Sequence, residues 1–442
     1  MPFPARRPTS EEVSGGPARP AAEPSAPSSI GRALGLGLIT GAADDDPSAI
    51  GTYAAAGAKI GTAFLWAAPV TFPMMVAVVY LSAKVGQVTG KGLFGVIRDH
   101  YPRWILHFAL VGVVIGNTIE AGADLGGIAA SLRVLAPGIP LYGIVIPATA
   151  TVVGLQLWGS YTLIRQIFRW LALVLFAYVG SALMSHPDWA AIVRGTLVPT
   201  LHFNREFLSL LVAVIGTTLS AYLYTWQSNE EVEEEIAMGR RHLAERQGAT
   251  AQDLRQSRWD IAVGMLFSNV IMYFIILATA STLYKSGKTD ISSAAEAAAA
   301  LRPLAGDAAG VLFALGVVAV GFLAVPIMTT GAAYDVCQAF GWRHGLQCRP
   351  SEARAFYGLI AAVSLAAMAM NFFGFNPMRA LVVAGIVQGF STPPLMFLIM
   401  RMTSDPRIMG ESVNGLAINL LGWTTTVAIF TVTVGLVISW LI

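Results

Sequence analysis

An all-α integral membrane protein is the fold class this sequence predicts. Three observations predict it: a lipid-compatible composition, a succession of bilayer-length apolar runs, and carboxylates set in the middle of one of them. Of the 442 residues, 55 % are hydrophobic and 12 % charged, and the mean hydropathy is +0.63; a soluble chain carries about 25 % charged residues. A helix needs about 20 apolar residues to cross hydrocarbon. Eleven runs qualify or nearly so: 31–58, 61–85, 104–132, 138–160, 164–184, 206–237, 259–284, 306–340, 354–373, 378–401 and 415–441.

Residues 1–29, ahead of these runs, are rich in Pro, Ala, Ser and Gly. That composition buries too little apolar surface to fold, so a disordered cytoplasmic tail acting as a spacer is expected. No apolar stretch follows its first charges, which argues against a secretory signal. The side carrying this tail collects twenty of the 28 Lys and Arg, the opposite side eight. The positive-inside rule then puts the N-terminus in the cytoplasm and the C-terminus outside.

The first run holds Asp44, Asp45 and Asp46 directly before Pro47, with Arg32 and Lys59 as its other charges. One charge near the bilayer centre costs about 2.5–3.5 kcal/mol on insertion scales, so three adjacent ones require a compensating cation or protonation. Pro47 has no N–H and clashes with the preceding turn, which breaks a helix. Unpaired backbone at membrane depth is tolerated only where it is buried in protein or lines a cavity. Carboxylates beside free carbonyls are ligands for a hard cation, and the feature reads as an ion site. Successive helical residues point about 100° apart, so the triplet acts together only where the helix unwinds and lets two of its members converge.

In the third run, Asn117, Glu120 and Asp124 share roughly one helical face, and carboxylates at that depth are functional candidates by default. The sixth run reads Val214-Ile215-Gly216-Thr217-Thr218-Leu219-Ser220-Ala221-Tyr222, where Gly216 and the hydroxyl residues weaken the helix midway. Interruptions in the first and sixth runs, five spans apart, point to a transporter built on inverted repeats with its site between them. Glu230, Glu231, Glu233, Glu234 and Glu235 close the sixth run, and a solvated helix face is expected there. Asp335, Gln338, Asn371 and Asn376 are expected to close helix–helix hydrogen bonds. Trp66, Trp104, Trp158, Trp170 and Trp423, near run ends, read as interfacial anchors.

Several classes are excluded. A net charge of +2 and the lack of a basic run argue against nucleic acid. Cys337 and Cys348 form neither a disulfide framework nor a CxxC pair. No phosphate-binding glycine loop, nucleophile elbow or zinc motif supports an enzyme, and no cofactor is expected. Nothing in the sequence fixes an oligomeric state.

A resemblance now becomes specific. Gly35–Tyr53, containing Ala43-Asp44-Asp45-Asp46-Pro47-Ser48-Ala49-Ile50, resembles the first helix of the Nramp divalent-metal transporters, whose signature is Asp-Pro-Gly-Asn. Trp226-Gln227-Ser228-Asn229-Glu230-Glu231-Val232-Glu233-Glu234 is similar to the end of the sixth helix in the Nramp-like bacterial branch, and Thr403-Ser404-Asp405-Pro406-Arg407-Ile408-Met409-Gly410 to the loop after the tenth. The likeness spans nearly the whole chain beyond the tail. It implies a LeuT-like fold: two inverted five-helix repeats, 30–184 and 206–401, plus an eleventh transmembrane helix at 415–441. It also implies a membrane protein importing a divalent metal as substrate.

By the same resemblance, Asp46 matches the family's metal-binding aspartate. Ala49 stands in place of asparagine, Ser220 in place of the methionine of metal-importing members, Ala221 in place of proline and Tyr222 in place of histidine. Thr217 falls where a backbone carbonyl would coordinate the ion, and Gln388 matches a glutamine that approaches it. Asp45 is expected to face the vestibule, and Asp44 to be either a second ligand or a helix-end charge. Asn117-x-x-Glu120 corresponds to an Asp-x-x-Glu proton route with the first acid reduced to an amide. An amide cannot relay a proton by ionising, which weakens the case for proton coupling; Glu120 otherwise pairs with an arginine or accepts a hydrogen bond. Loss of the thioether favours a hard ion such as Mg²⁺, with Mn²⁺ next. The alternatives are a small organic cation or amine as cargo, or a membrane sensor that binds without transporting.

Overall fold

The computed structural model describes residues 36–158 and 173–441. The expected tail at 1–29, the start of the first apolar run and the first part of the fifth lie outside them, as does Trp170. Among the described residues the chain is helical without strands. Helix α1 (Leu36–Asp44) and helix α2 (Pro47–Ile60) answer to the first apolar run, followed by α3 (Ala67–Thr89), α4 (Leu93–His100), α5 (Arg103–Leu135) and α6 (Tyr142–Trp158). Next come α7 (Ala177–Met184), α8 (Trp189–Leu197), α9 (Arg205–Thr218) and α10 (Ala221–Ala237). The chain then forms α11 (Ala251–Thr279), α12 (Ala309–Phe340), α13 (Arg354–Met370), α14 (Pro377–Thr403) and α15 (Leu416–Leu441). Taking α9 and α10 as one interrupted span, seven helices among the described residues are long and apolar enough to cross a membrane, and three shorter apolar ones accompany them. The protein is a multi-pass membrane protein.

The first interruption follows from local chemistry. Asp46 has extended backbone (φ −64°, ψ 172°) and acts as N-cap of α2, its side chain accepting from Ala49 N at 2.7 Å. Pro47 occupies the first helical position, where its missing N–H is no loss. The second interruption sits later than the sequence suggests. Gly216 is helical, inside α9, and the break falls at Leu219 (φ −123°, ψ 40°) and Ser220 (φ −60°, ψ 139°). Gly216 has a packing role instead: a Cβ there would run into Gly385 O and the Gly389 backbone of α14.

Helix α5 is the centre of the packing, lying against α12, α13 and α14, while α11 lies against α1, α2 and α3. Two expectations are corrected here. Trp66 is buried and tilts against Phe64 at 5.9 Å, so it is core and not an interfacial anchor, whereas Trp104 is 70 % exposed. Four of the five glutamates closing α10 are not a solvated face, because Glu230, Glu231, Glu233 and Glu235 are all buried, whereas Glu234 is exposed. Other helices, α10 itself and the loop after α12 supply the polar groups that water would have supplied. Gln87 Nε2 (2.7 Å), Gln227 Nε2 (2.9 Å) and Ser257 Oγ (3.1 Å) donate to Glu231, and the Tyr334 hydroxyl (2.6 Å) and Leu346 N (3.2 Å) to Glu233. Gln338 Nε2 donates to Asn229 Oδ1 at 2.6 Å and Asn371 Nδ2 to Gly122 O at 2.9 Å, both of them bonds between helices.

Candidate ion site at two interrupted helices

Five carboxylates gather around the two breaks: Asp44, Asp45, Asp46, Glu120 and Asp124, each 0 % exposed. Among the described residues, none of them forms an ion pair with Lys, Arg or His. Removing a carboxylate from water costs several kcal/mol even after relaxation. Among the described residues, hydrogen bonds are what offsets that cost, and they leave Asp44 Oδ1, Asp45 Oδ2 and Asp124 Oδ2 without a partner.

At the first break the triplet divides. Asp46 turns toward the sixth-span helices: Oδ1 caps α2, and Oδ2 accepts from the Tyr222 hydroxyl at 3.1 Å. That hydroxyl also lies 2.8 Å from Ala43 O, across the break. Asp44 and Asp45 turn the other way and converge on α11, where Ser268 Oγ lies 2.5 Å from Asp44 Oδ2 and 3.3 Å from Asp45 Oδ1. Two members of the triplet do converge, helical Asp44 and unwound Asp45, but Asp46 is not one of them. Asp45 is buried against Ser268 and does not face a solvent-filled vestibule.

At the second break Ser220 folds its hydroxyl back onto its own helix. Ser220 Oγ lies 2.8 Å from Gly216 O, 3.0 Å from Thr217 O and 3.4 Å from Glu120 Oε1. One hydroxyl hydrogen serves these acceptors in alternation. Leu219 O accepts from the Tyr224 hydroxyl at 2.6 Å and from Thr392 Oγ1 at 3.0 Å. Thr217 thus enters through its backbone oxygen, which Ser220 already engages, while its own hydroxyl bonds Ala213 O and Val214 O.

Helix α5 holds both breaks. Asp124 Oδ1 accepts from Ser48 N (2.9 Å) and Ser48 Oγ (2.7 Å), gripping the first turn of α2. Glu120, one turn earlier, reaches Ser220 at the second break and accepts from Gln388 Nε2 at 2.6 Å. Of the two readings for Glu120, hydrogen bonding is the one the structure shows. Gln388 is committed to Glu120, with Asn117 Oδ1 at 3.4 Å and Ser391 Oγ donating to its Oε1 at 2.8 Å. Asn117 is buried beside it, on the same stretch of α5. Sequence reasoning misses Ser48 and Ser268. The polar pair Ser268-Asn269 inside an otherwise apolar stretch was the available signal for the second.

Among the described residues, no three His, Cys, Asp or Glu side chains converge as a metal cluster. A cation at these breaks would meet one carboxylate with carbonyl and hydroxyl oxygens. That is the donor set of a hard ion that keeps part of its own hydration.

A family profile described as "Natural resistance-associated macrophage protein-like" matches residues 37–439. The chain belongs to the Nramp family. This is a family of divalent-metal transporters and not of enzymes, and it is the family the three motifs resemble. Solved structures agree on the fold. The manganese transporter of Eremococcus coleocola, in complex with an aromatic bis-isothiourea substituted compound, is 17 % identical over 91 % of this chain and 85 % of its own, with a TM-score of 0.67. Mhp1, a nucleobase-cation-symport-1 family transporter in a closed conformation with bromovinylhydantoin bound, is 14 % identical over 92 % of this chain and 90 % of its own, at 0.56. MhsT in complex with L-phenylalanine is 12 % identical over 92 % and 98 %, also at 0.56. The Nramp chain has the LeuT-like fold that the family resemblance implied.

Proposed function

We propose that this Nramp-family chain imports a hard divalent cation, Mg²⁺ or Mn²⁺, by alternating access. The ion is the substrate, it binds between the two interrupted helices, and Asp46 is its principal side-chain ligand. The observation that carries the reading is the group of five buried carboxylates with no cationic side chain paired to any of them among the described residues. Such a charge arrangement at membrane depth is stabilised when a cation arrives. The ligand atoms offered beside Asp46 are oxygens: the Ala43 carbonyl at the first break and, at the second, Ser220 and the carbonyls it touches. With no thioether or imidazole among them, the chemistry favours hard ions. The N-terminus is cytoplasmic in this reading, so the ion moves toward the side that carries most Lys and Arg.

The test is uptake into proteoliposomes. Asp46→Ala is expected to abolish Mg²⁺- and Mn²⁺-dependent uptake while the purified protein remains monodisperse. Uptake at the wild-type rate by this variant would refute the assignment.

A further inference from the structure

Tyr222 is the second residue of α10, just past the second break, and its side chain is fully buried. Its hydroxyl nevertheless belongs to the first break, lying 2.8 Å from Ala43 O and 3.1 Å from Asp46 Oδ2. Those two oxygens come from opposite sides of the interruption. One is a backbone carbonyl near the end of α1 and the other is the carboxylate that caps α2. Together they are the pair of donors a cation at this break would use.

A hard divalent ion sits about 2.0–2.6 Å from its oxygen ligands. A hydroxyl within hydrogen-bonding distance of both oxygens fills the space such an ion needs. Its O–H dipole also turns a partial positive charge toward the carboxylate, as the ion would. We propose that the Tyr222 hydroxyl is a built-in stand-in for the transported cation. It closes Ala43 O and Asp46 Oδ2 in the ion-free protein, and the ion must displace it to bind. The inference rests on the reading of Asp46 as the cation ligand.

The arrangement gives the site a way to let go. Binding exchanges hydrogen bonds from the hydroxyl for bonds to the ion, so part of the ion's attraction is spent on opening them. When the ion leaves, the hydroxyl closes over the carboxylate again, and no bare buried charge remains to recapture it. Tyr222 in this role sets affinity and release for any ion that uses the site, without itself being a ligand.

The test compares wild-type protein, Tyr222→Phe and Asp46→Ala as full-length chains in detergent. Mn²⁺ and Mg²⁺ binding is measured by calorimetry, and thermal unfolding with and without Mn²⁺. Phe keeps the ring and removes only the hydroxyl. The ion-free state then loses its closing bonds while the ion-bound state loses nothing. Mn²⁺ should bind Tyr222→Phe about tenfold more tightly, a factor worth 1.4 kcal/mol and at the low end for a hydrogen bond to a charged group. Its unfolding temperature should be lower than wild type without Mn²⁺ and should rise further on adding it. Tyr222→Leu also removes the hydroxyl without adding a polar group, and it carries the same expectation should the Phe variant fold poorly. Unchanged binding would make the hydroxyl merely structural, and weaker binding would make it a ligand or a positioning group; either overturns the inference. If Asp46→Ala abolishes binding while Tyr222→Phe leaves it unchanged, the stand-in alone falls. If wild type binds neither metal, or Asp46→Ala binds as well as wild type, the Asp46 reading fails and takes the stand-in with it.

Discussion

Asp124 lies one turn beyond Glu120 on a membrane-buried helix, a position that invites a proton-relay role, yet its contacts are those of a clamp. Its Oδ1 accepts from both the amide and the hydroxyl of Ser48, at 2.9 and 2.7 Å, in the first turn of α2. The first amides of a helix have no partner within it. Asp124→Ala would therefore strand the Ser48 amide in a fully buried setting. An orphaned buried donor costs about 1–3 kcal/mol, and loss of a cap-type bond about 0.5–2 kcal/mol. The two overlap, and the expected destabilisation of Asp124→Ala is about 2–3 kcal/mol. Asp124→Asn retains one acceptor oxygen for Ser48. Its amide nitrogen takes the place of Oδ2, which has no partner among the described residues, so nothing already made is lost there. The Asn variant should cost about 1 kcal/mol or less, the net value of a single hydrogen bond. Thermal unfolding in detergent, followed by loss of monodisperse protein on size exclusion, reads the difference. A clamp predicts the order wild type, Asn, Ala, with Ala clearly separated. If Asn and Ala are equally destabilised, the charge and not the hydrogen-bond geometry is what Asp124 contributes. If both match wild type, the clamp is refuted.

Two further outcomes follow from packing and from the buried glutamates. Gly216→Ala should destabilise the protein by about 1–3 kcal/mol, the usual cost of overpacking, because its Cβ would meet Gly385 O and the Gly389 backbone; a wild-type unfolding temperature would show that α9 and α14 can part freely. Glu231→Ala removes the shared acceptor of Gln87, Gln227 and Ser257. With two buried amides left short of partners at about 1–3 kcal/mol each, it should unfold well below wild type. Glu231→Gln, which keeps an acceptor oxygen, should lie between, and the reading fails if Glu231→Ala is as stable as wild type.

How much of this was legible in the sequence depends on how local the cause is. The first break was readable because Asp46 and Pro47 are adjacent and act through their own backbone. The second was misplaced by a few residues, because Gly216 looks like a helix-breaker locally and is in fact required by α14, some 170 residues away in the chain. The glutamates of α10 read as solvated because a run of charges usually is. The partners that keep them dry, Gln87, Ser257 and Tyr334, lie on three other helices. Within the site, residue types were legible but their pairings were not. No periodicity in the first run says that Asp44 and Asp45 will turn to Ser268 while Asp46 turns to Tyr222. That split is decided by which helix lies on each side of the unwound stretch.

The two breaks are not equivalent, and the difference weights the proposed ion site. At the second, three backbone oxygens beside the interruption have side-chain partners: Gly216 O and Thr217 O share the Ser220 hydroxyl, and Leu219 O accepts from Tyr224 and Thr392. At the first, Asp44 Oδ1, Asp45 Oδ2 and Asp124 Oδ2 have no hydrogen-bond partner among the described residues. Unsatisfied buried acceptors are expensive, and carboxylate oxygens more so than carbonyls, because the full charge is felt in a low-dielectric interior. The electrostatic deficit therefore sits on the α1–α2 side, and an arriving cation gains most there. Ser220 and its carbonyls, already satisfied, have more to lose by rearranging, which suits them to closing around an ion and not to recruiting it. On this argument, replacing Ser220 should alter how tightly the site closes, whereas replacing Asp46 should decide whether anything binds at all.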